Sequence, residues 1–331
     1  MSSKYLGDDS KMKNMKIAFY DNSVSLRGTT VAVYDWAYWT RHYFDIDPII
    51  MYDLSHHANN EDVLKKFQKE FPVFGVSHGT NTSEIDSILS QNNCDIFFMI
   101  KAGKPDGIIS TVAKNLVNAV SPCNKSHIHG DTFAMCSKWL SKVSENIPYV
   151  PHIIHLPDIN EDMRDELGIP KDDLVLGRNG GWETFDLSFA KQSIIQVLNE
   201  RSDIWFIFQF TEPFVNHERV IYLPGSSDLN IKTKFINSCD AMIHARYNGE
   251  SFGLSCGEFS IRNKPILTWH GSPERNHIDI LGEKGIFYND SSELLHILRN
   301  LDKNEINSLE WNCYQEYTPE KVCQKFKEVY L

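Results

Sequence analysis

The chain is 331 residues long, 41% hydrophobic and 23% charged, with a formal net charge of −11. That length favours two domains of ordinary size, or one large one, and either can bury a full core without disulfide or metal staples. The acidic balance and the lack of a basic stripe argue against a nucleic-acid partner and against a polybasic anchor on anionic lipid.

Residues 1–14 are polar and are expected to be frayed. The N-terminus, MSSKYLGDDSKMKNM, has no apolar signal core. No stretch reaches the ~18 apolar residues of a membrane span, so the cytosol is the expected compartment. MKIAFYD at 15–21 then reads as a buried strand, the polar run at 22–30 as a loop, and 31–44 as a helix. The alternation continues with strands at 47–54, 71–78 and 94–103, and with helices at 60–71, 83–91 and 133–143. Strands spaced by helical patterns imply a parallel sheet with helices on both faces.

YVPHIIHLPD at 149–158 carries two prolines and reads as the end of the first domain and a linker. A second α/β series follows. Strands are expected at 172–179, 204–210, 219–225, 240–247, 264–271 and 285–290. Helices are expected at 188–201, 231–238, 253–263 and 291–301, and an amphipathic one at 318–331. The seven cysteines (94, 123, 136, 239, 256, 313 and 323) form no CxxC pair and are odd in number, so reduced thiols are expected. Two doubly wound domains suggest a ligand cleft between them, and such sheets bind ligands beyond the carboxyl ends of their strands.

The segment richest in chemistry is HARYNGESFGLSCGEF, 244–259, where a strand runs into a polar turn and Gly253 opens a helix. Seven residues separate Glu250, in the loop, from Glu258, on the helix. Paired carboxylates at this spacing can touch two parts of one elongated ligand, because each oxygen accepts charge-assisted hydrogen bonds from hydroxyls. The free amides at the helix start, near Phe252, Gly253 and Leu254, suit an anionic phosphate.

This string resembles the E-x7-E signature of retaining GT-B glycosyltransferases. Glu250-Ser251-Phe252-Gly253 stands where that family carries Glu-Gly-Phe-Gly, and Glu258 stands for the helical glutamate. NKPILTW, 263–269, resembles the strand that trails the helix, and the order of elements agrees over about residues 15–300. The resemblance implies that Glu250 contacts the donor sugar and Glu258 the donor ribose. VLGRNGGWETFDLSFA, 175–190, is similar to the family's diphosphate loop, where an arginine and a lysine hold the donor. Arg178 matches the arginine; the lysine is missing, and Thr184 stands near its place. Amides of Asn179, Gly180 and Gly181 could compensate as an anion-binding nest, with Arg246 or Lys264 supplying charge.

By the same resemblance, Gly225 in Leu-Pro-Gly lies against the nucleotide base, and Gly28 lets a ligand approach the backbone closely. Lys101 and His129 would face the acceptor side. His129 joins Glu250 and Arg178 as an expected catalytic residue, and Arg246, Gly180, Gly181 and Glu258 as well as the helix start serve donor binding. His127 and His129 alternate but have no third metal ligand in reach, and no DxD lies at a strand end, so no metal is expected. No cofactor is expected beyond the donor substrate.

The implied fold is α/β of the GT-B type, two Rossmann-like doubly wound domains with an interdomain cleft. Its expected divisions are a flexible 1–14, an acceptor-side domain at 15–150, a linker at 151–157, a nucleotide-sugar domain at 158–312 and a helix within 313–331 that packs back on the first domain. The implied reaction moves a sugar from a nucleotide diphosphate sugar, UDP- or GDP-linked, to a glycan or other hydroxyl acceptor with retention and without a metal. A nucleotide-sugar epimerase on the same fold, or a non-catalytic nucleotide- or glycan-binding protein, remains the alternative.

Overall fold

The structure is a computed structural model that describes residues 15–331; the expected frayed segment, 1–14, lies outside the described residues. The chain divides into two compact units. Ile153 ends the continuous part of the first, Ile154–Glu316 forms the second, and Tyr317–Leu331 belongs to the first. Among the described residues no helix is long and apolar enough to cross a membrane.

The first unit opens with β1 (Lys16–Asp21), α1 (Gly28–Phe44), β2 (Asp47–Asp53), α2 (Glu61–Glu70) and β3 (Val73–Val76). It continues with α3 (Thr82–Gln91), β4 (Ile96–Lys101), β5 (Lys114–Ala119), β6 (Thr132–Met135) and α4 (Lys138–Val143). The six strands are parallel, in the order β3-β2-β1-β4-β5-β6. Strands covered by helices on both faces must be apolar throughout, and IFFMIK of β4 is buried at every position. The chain winds outward from β1 to β3, then crosses to β4 and winds outward to β6. The sheet therefore has its topological switch point between β1 and β4.

Two expectations need correction here. Residues 133–143 are not one helix: Thr132–Met135 is a strand, and Ser137 caps the short helix by accepting the Leu140 N–H at 3.1 Å. Lys114–Ala119 is a strand the sequence did not betray, because Asn115 and Asn118 read as turn formers. Partners elsewhere in the unit answer the Asn115 amide and the NH2 of Asn118. Asn115 Oδ1 accepts the Ser110 N–H at 2.8 Å, and Asn118 Nδ2 donates to Val150 O at 3.1 Å and to the Tyr330 hydroxyl at 3.0 Å.

The second unit contains β7 (Leu174–Asn179), α5 (Ser188–Glu200), β8 (Ile204–Gln209), β9 (Val220–Leu223), α6 (Leu229–Ser238) and β10 (Ala241–His244). After these come β11 (Gly249–Glu250), α7 (Leu254–Ile261), β12 (Ile266–Trp269), β13 (Glu274–Arg275), α8 (Asn276–Leu281) and β14 (Ile286–Tyr288). Helices α9 (Ser291–Asn300) and α10 (Lys303–Asn307) complete it. Its main sheet is again parallel, in the order β14-β12-β10-β7-β8-β9, so the switch point falls between β7 and β10. The two-residue strands β11 and β13 pair beside it. Cys313–Glu316, grouped with the last helix by the sequence, lie in this unit.

The last helix, α11 (Pro319–Tyr330), is capped by Thr318 and buries Val322, Cys323, Phe326 and Tyr330 in the core of the first unit. Phe326 lies 5.4 Å from Phe98 and 6.4 Å from Trp36, centroid to centroid, and the Tyr330 hydroxyl donates to Val117 O at 3.0 Å. In the same core, His152 packs 5.2 Å from the Trp36 ring, and burial pushes its imidazole down to about 3. The unfolded chain takes up this proton below about 6.5 and the folded chain does not. Stability at this site is thus complete above about 6.5 and falls as pH drops toward 3. At 1.36 kcal/mol per unit, the loss reaches about 2 kcal/mol at pH 5. Denaturant titrations at pH 7 and pH 5 should show His152→Phe losing less stability than wild type by about that amount. Equal losses would refute the assignment.

Candidate active site

The carboxyl ends of β7 and β10 flank the switch point of the second sheet, the place where such sheets bind ligands. Arg178 and Asn179 end β7, Gly180 and Gly181 follow, and Arg246 and Glu250 follow β10. The backbone at this end is shaped by glycine. Gly249 has φ +75°, and a Cβ there would stand 2.1 Å from Glu274 O. Gly253, at φ +94°, caps α7 beside His277 and the Tyr314 hydroxyl. A side chain at either position would break the turn that presents Glu250.

Both Glu250 oxygens are held. Oε1 accepts from His244 Nε2 at 3.1 Å and Oε2 from Arg246 Nη1 at 3.0 Å, while the side chain keeps 22% of its surface exposed. Burial alone would raise this carboxyl. The His244 hydrogen bond and the Arg246 charge outweigh burial and bring it down to about 2, so it is ionised at neutral pH. Arg246 is held above its usual value: burial opposes, but the Glu250, Glu274 and Asp186 carboxylates prevail.

Glu258 projects from α7 and is 4% exposed. Its Oε1 accepts from Lys232 Nζ at 2.7 Å and its Oε2 from Asn179 Nδ2 at 3.3 Å. Lys232, on α6, was not legible as a site residue. It brings a buried cation next to the loop that lacks the expected lysine.

The structure revises the role of Arg178. The residue is 4% exposed, and burial first of all lowers its guanidinium to about 10. Nη1 donates to Thr211 Oγ1 and to Phe210 O at 3.4 Å. Nη2 donates to Thr184 Oγ1 and to Gly181 O at 3.0 Å. The four terminal N–H groups are thus spent on the protein, leaving Nε. Arg178 binds the 179–184 loop to the end of β8 instead of presenting a fork to a phosphate. Gly180 makes room for this packing, since a Cβ there would lie 2.5 Å from Arg178 Nη2 and the guanidinium would have to shift.

Other expected residues are placed as follows. Phe252 is 3% exposed, 6.3 Å from the Tyr314 ring, which makes it a packing residue, while Leu254 starts α7 half-buried. Gly225 follows β9, two strands from β7. Lys264 sits at the amino end of β12 among Cys239, Asp240, Arg164 and Arg262, away from the site.

In the first unit, Gly28 opens α1, exposed, at the carboxyl end of β1. Lys101 ends β4 across the switch point, but it is buried and its ammonium donates to Asp106 Oδ1 and, at 2.6 Å, to Ile108 O. Burial lowers its pKa, against the pull of Asp106. It anchors the 102–108 loop and is not a free cation. His129 is at the wrong end of the sheet. It precedes β6, and its neighbour Asp131 bonds both backbone groups of Asn115 at the start of β5. Its Nδ1 lies 2.8 Å from His127 O. We therefore remove His129 from the candidate site. Among the described residues no three His, Cys, Asp or Glu side chains come together to hold a metal ion.

Behind Glu250 lies a group that sequence reading missed. His244 Nδ1 is 2.9 Å from Thr268 Oγ1, which is 3.1 Å from His277 Nε2. Their separation along the chain is no motif; only the pairing of His244 with Thr268 across β10 and β12 joins them.

The sequence matches no family model and no curated protein. Solved structures do resemble it. HepE from Anabaena, in complex with UDP-glucose, superposes with a TM-score of 0.70 at 13% identity, over 95% of this chain and 99% of its own. A glycosyltransferase from Rickettsia africae gives 0.68 at 13% identity, over 96% and 98%. A putative UDP-N-acetylglucosamine 2-epimerase from Listeria monocytogenes gives 0.60 at 12%, over 95% and 96%. At these identities the likeness is one of fold. The chain has the GT-B architecture of two parallel-sheet α/β units.

Proposed function

We propose that the chain is a glycosyltransferase that takes a sugar from a nucleotide diphosphate sugar, UDP- or GDP-linked, and passes it to a hydroxyl acceptor with retention and without a metal. The observation that carries this reading is the ionised, partly exposed Glu250 carboxylate at the switch point of the second sheet. Two cationic or polar donors fix it from behind, and its remaining lone pairs are suited to sugar hydroxyls. The carboxyl ends of β9, β8, β7 and β10 make a row three strand spacings long, about 14 Å. Base, diphosphate and sugar can lie along it, from Gly225 past the 179–181 loop to Glu250. Arg246 and the backbone amides of that loop supply the counter-charge for the leaving diphosphate. Catalysis then comes from positioning and fixed electrostatics.

The epimerase reading draws on the Listeria likeness and on the His244–Glu250 contact, which could serve as an acid/base pair. One experiment separates the readings. UDP-glucose, UDP-N-acetylglucosamine and a GDP-sugar are incubated with the protein, with and without hydroxyl acceptors and with and without excess EDTA. We expect nucleotide release that rises with acceptor, survives EDTA and leaves the anomeric configuration retained. An isomerised sugar formed without acceptor would establish the epimerase instead. Loss of turnover in EDTA with rescue by magnesium or manganese would show that a metal supplies the counter-charge. Binding without consumption of any donor would indicate a binding protein.

A further inference from the structure

Ionised Glu250 can only accept hydrogen bonds, so His244 Nε2 must carry a proton toward it. His244 is 4% exposed and His277 is fully buried. With His244 neutral, its Nδ1 has a lone pair and takes the single hydroxyl proton of Thr268. The Thr268 oxygen then accepts from His277 Nε2–H. Every bond in the row points one way, from His277 through Thr268 and His244 to Glu250, and His277 Nδ1 is left as a bare lone pair. That atom is buried with no partner among the described residues, which suits an unprotonated nitrogen better than a buried, unanswered N–H.

A charged His244 would have to donate from both nitrogens. Thr268 would then turn its proton to His277 Nε2, and His277 would have to move its own proton to Nδ1, where nothing receives it. Burial and the nearby His244 push the His277 imidazole well below its usual value, so it does not carry a second proton. Three bonds therefore rise or fall together, and one hydroxyl sets their direction.

We propose that Thr268 and His277 are positioning residues that select the Nε2–H tautomer of His244, and through it fix the orientation and charge of the Glu250 carboxylate against the donor sugar. The last step of this proposal rests on the reading of Glu250 as a donor-sugar ligand.

The test combines ring 15N NMR with kinetics on three full-length proteins: wild type, Thr268→Val and Thr268→Ser. Valine keeps the shape and strand preference of threonine but removes the hydroxyl; serine keeps the hydroxyl. In wild type at neutral pH, both His244 and His277 should carry their proton on Nε2. In Thr268→Val the His277 signal should shift to the other or to mixed tautomers, and kcat/KM for the donor should fall by about tenfold. Thr268→Ser should restore both within about twofold. A wild-type His244 with its proton on Nδ1 overturns the proposal without any variant having to fold. So does a valine protein with wild-type tautomers and wild-type turnover. Tautomers that respond as expected in a protein that turns over no sugar donor would uphold the relay and reject the donor-sugar reading of Glu250.

Discussion

Glu250→Gln should lower donor-sugar turnover by about 10- to 100-fold while the fold persists. A charged hydrogen bond contributes roughly 1.5–3 kcal/mol, and 1.36 kcal/mol is a tenfold change in rate. The amide keeps the shape of the carboxyl but not its acceptor pair. One side of it becomes an NH2 group facing the donors Arg246 Nη1 and His244 Nε2, so the side chain must rotate away from one of them. The variant should be less stable than wild type at neutral pH, because it lacks the contribution of the depressed carboxyl, but it should still fold, since Arg246 is 31% exposed and can be rehydrated. The variant should also resist acid differently. In wild type, the depressed carboxyl contributes stability above about 4.5 that is lost as pH falls toward 2. Glutamine has no such contribution to lose. Steady-state kinetics beside a thermal melt decide the point, and activity within a factor of two of wild type would remove Glu250 from the site.

Lys232→Met should destabilise the second unit by about 3–5 kcal/mol, the usual cost of stranding one partner of a buried ion pair. Glu258 would be left with its side chain 5% exposed and with Asn179 as its remaining donor at 3.3 Å. For a unit of this size that corresponds to a drop of roughly 10 °C in melting temperature. Replacing both partners, Lys232→Met with Glu258→Leu, should recover most of the loss, because no buried charge then remains. The double-mutant cycle should show strong coupling; effects that simply add would mean the two side chains do not depend on each other.

Some of this was open to sequence reading because it is local. Buried strands such as KIAFYD and IFFMIK are built on the apolar runs IAFY and IFFMI, and helices such as 60–71 repeat at 3.6 residues. Their alternation implies parallel sheets before any contact is known. The turn around Glu250 is also local: glycines at 249 and 253 allow a backbone that presents one carboxylate at a strand end. Other features escaped because they depend on partners far away in the chain. KNLVNA is a strand because β4 and β6 pair with it on both sides, while Val150, Tyr330 and Ser110 bond its asparagines. Arg178 lies in a segment that resembles a diphosphate loop, yet Thr211 and Thr184 claim its N–H groups. His129 has suggestive neighbours but stands at the amino end of its strand, and sequence spacing does not say which end of a sheet a loop occupies.

Chain periodicity by itself determined the α/β class and most of the alternation of strands and helices, and placed Glu250 in the turn beyond a strand, because propensity, apolar patterning and glycine turns act within a few residues. Tertiary structure alone decided which charges meet. Lys232 reaches Glu258 from another helix, and His277 reaches Glu250 through Thr268 and His244 by the register of two neighbouring strands. Hydrogen bonds and ion pairs act over about 3 Å in space, and strand pairing, not sequence distance, sets that separation.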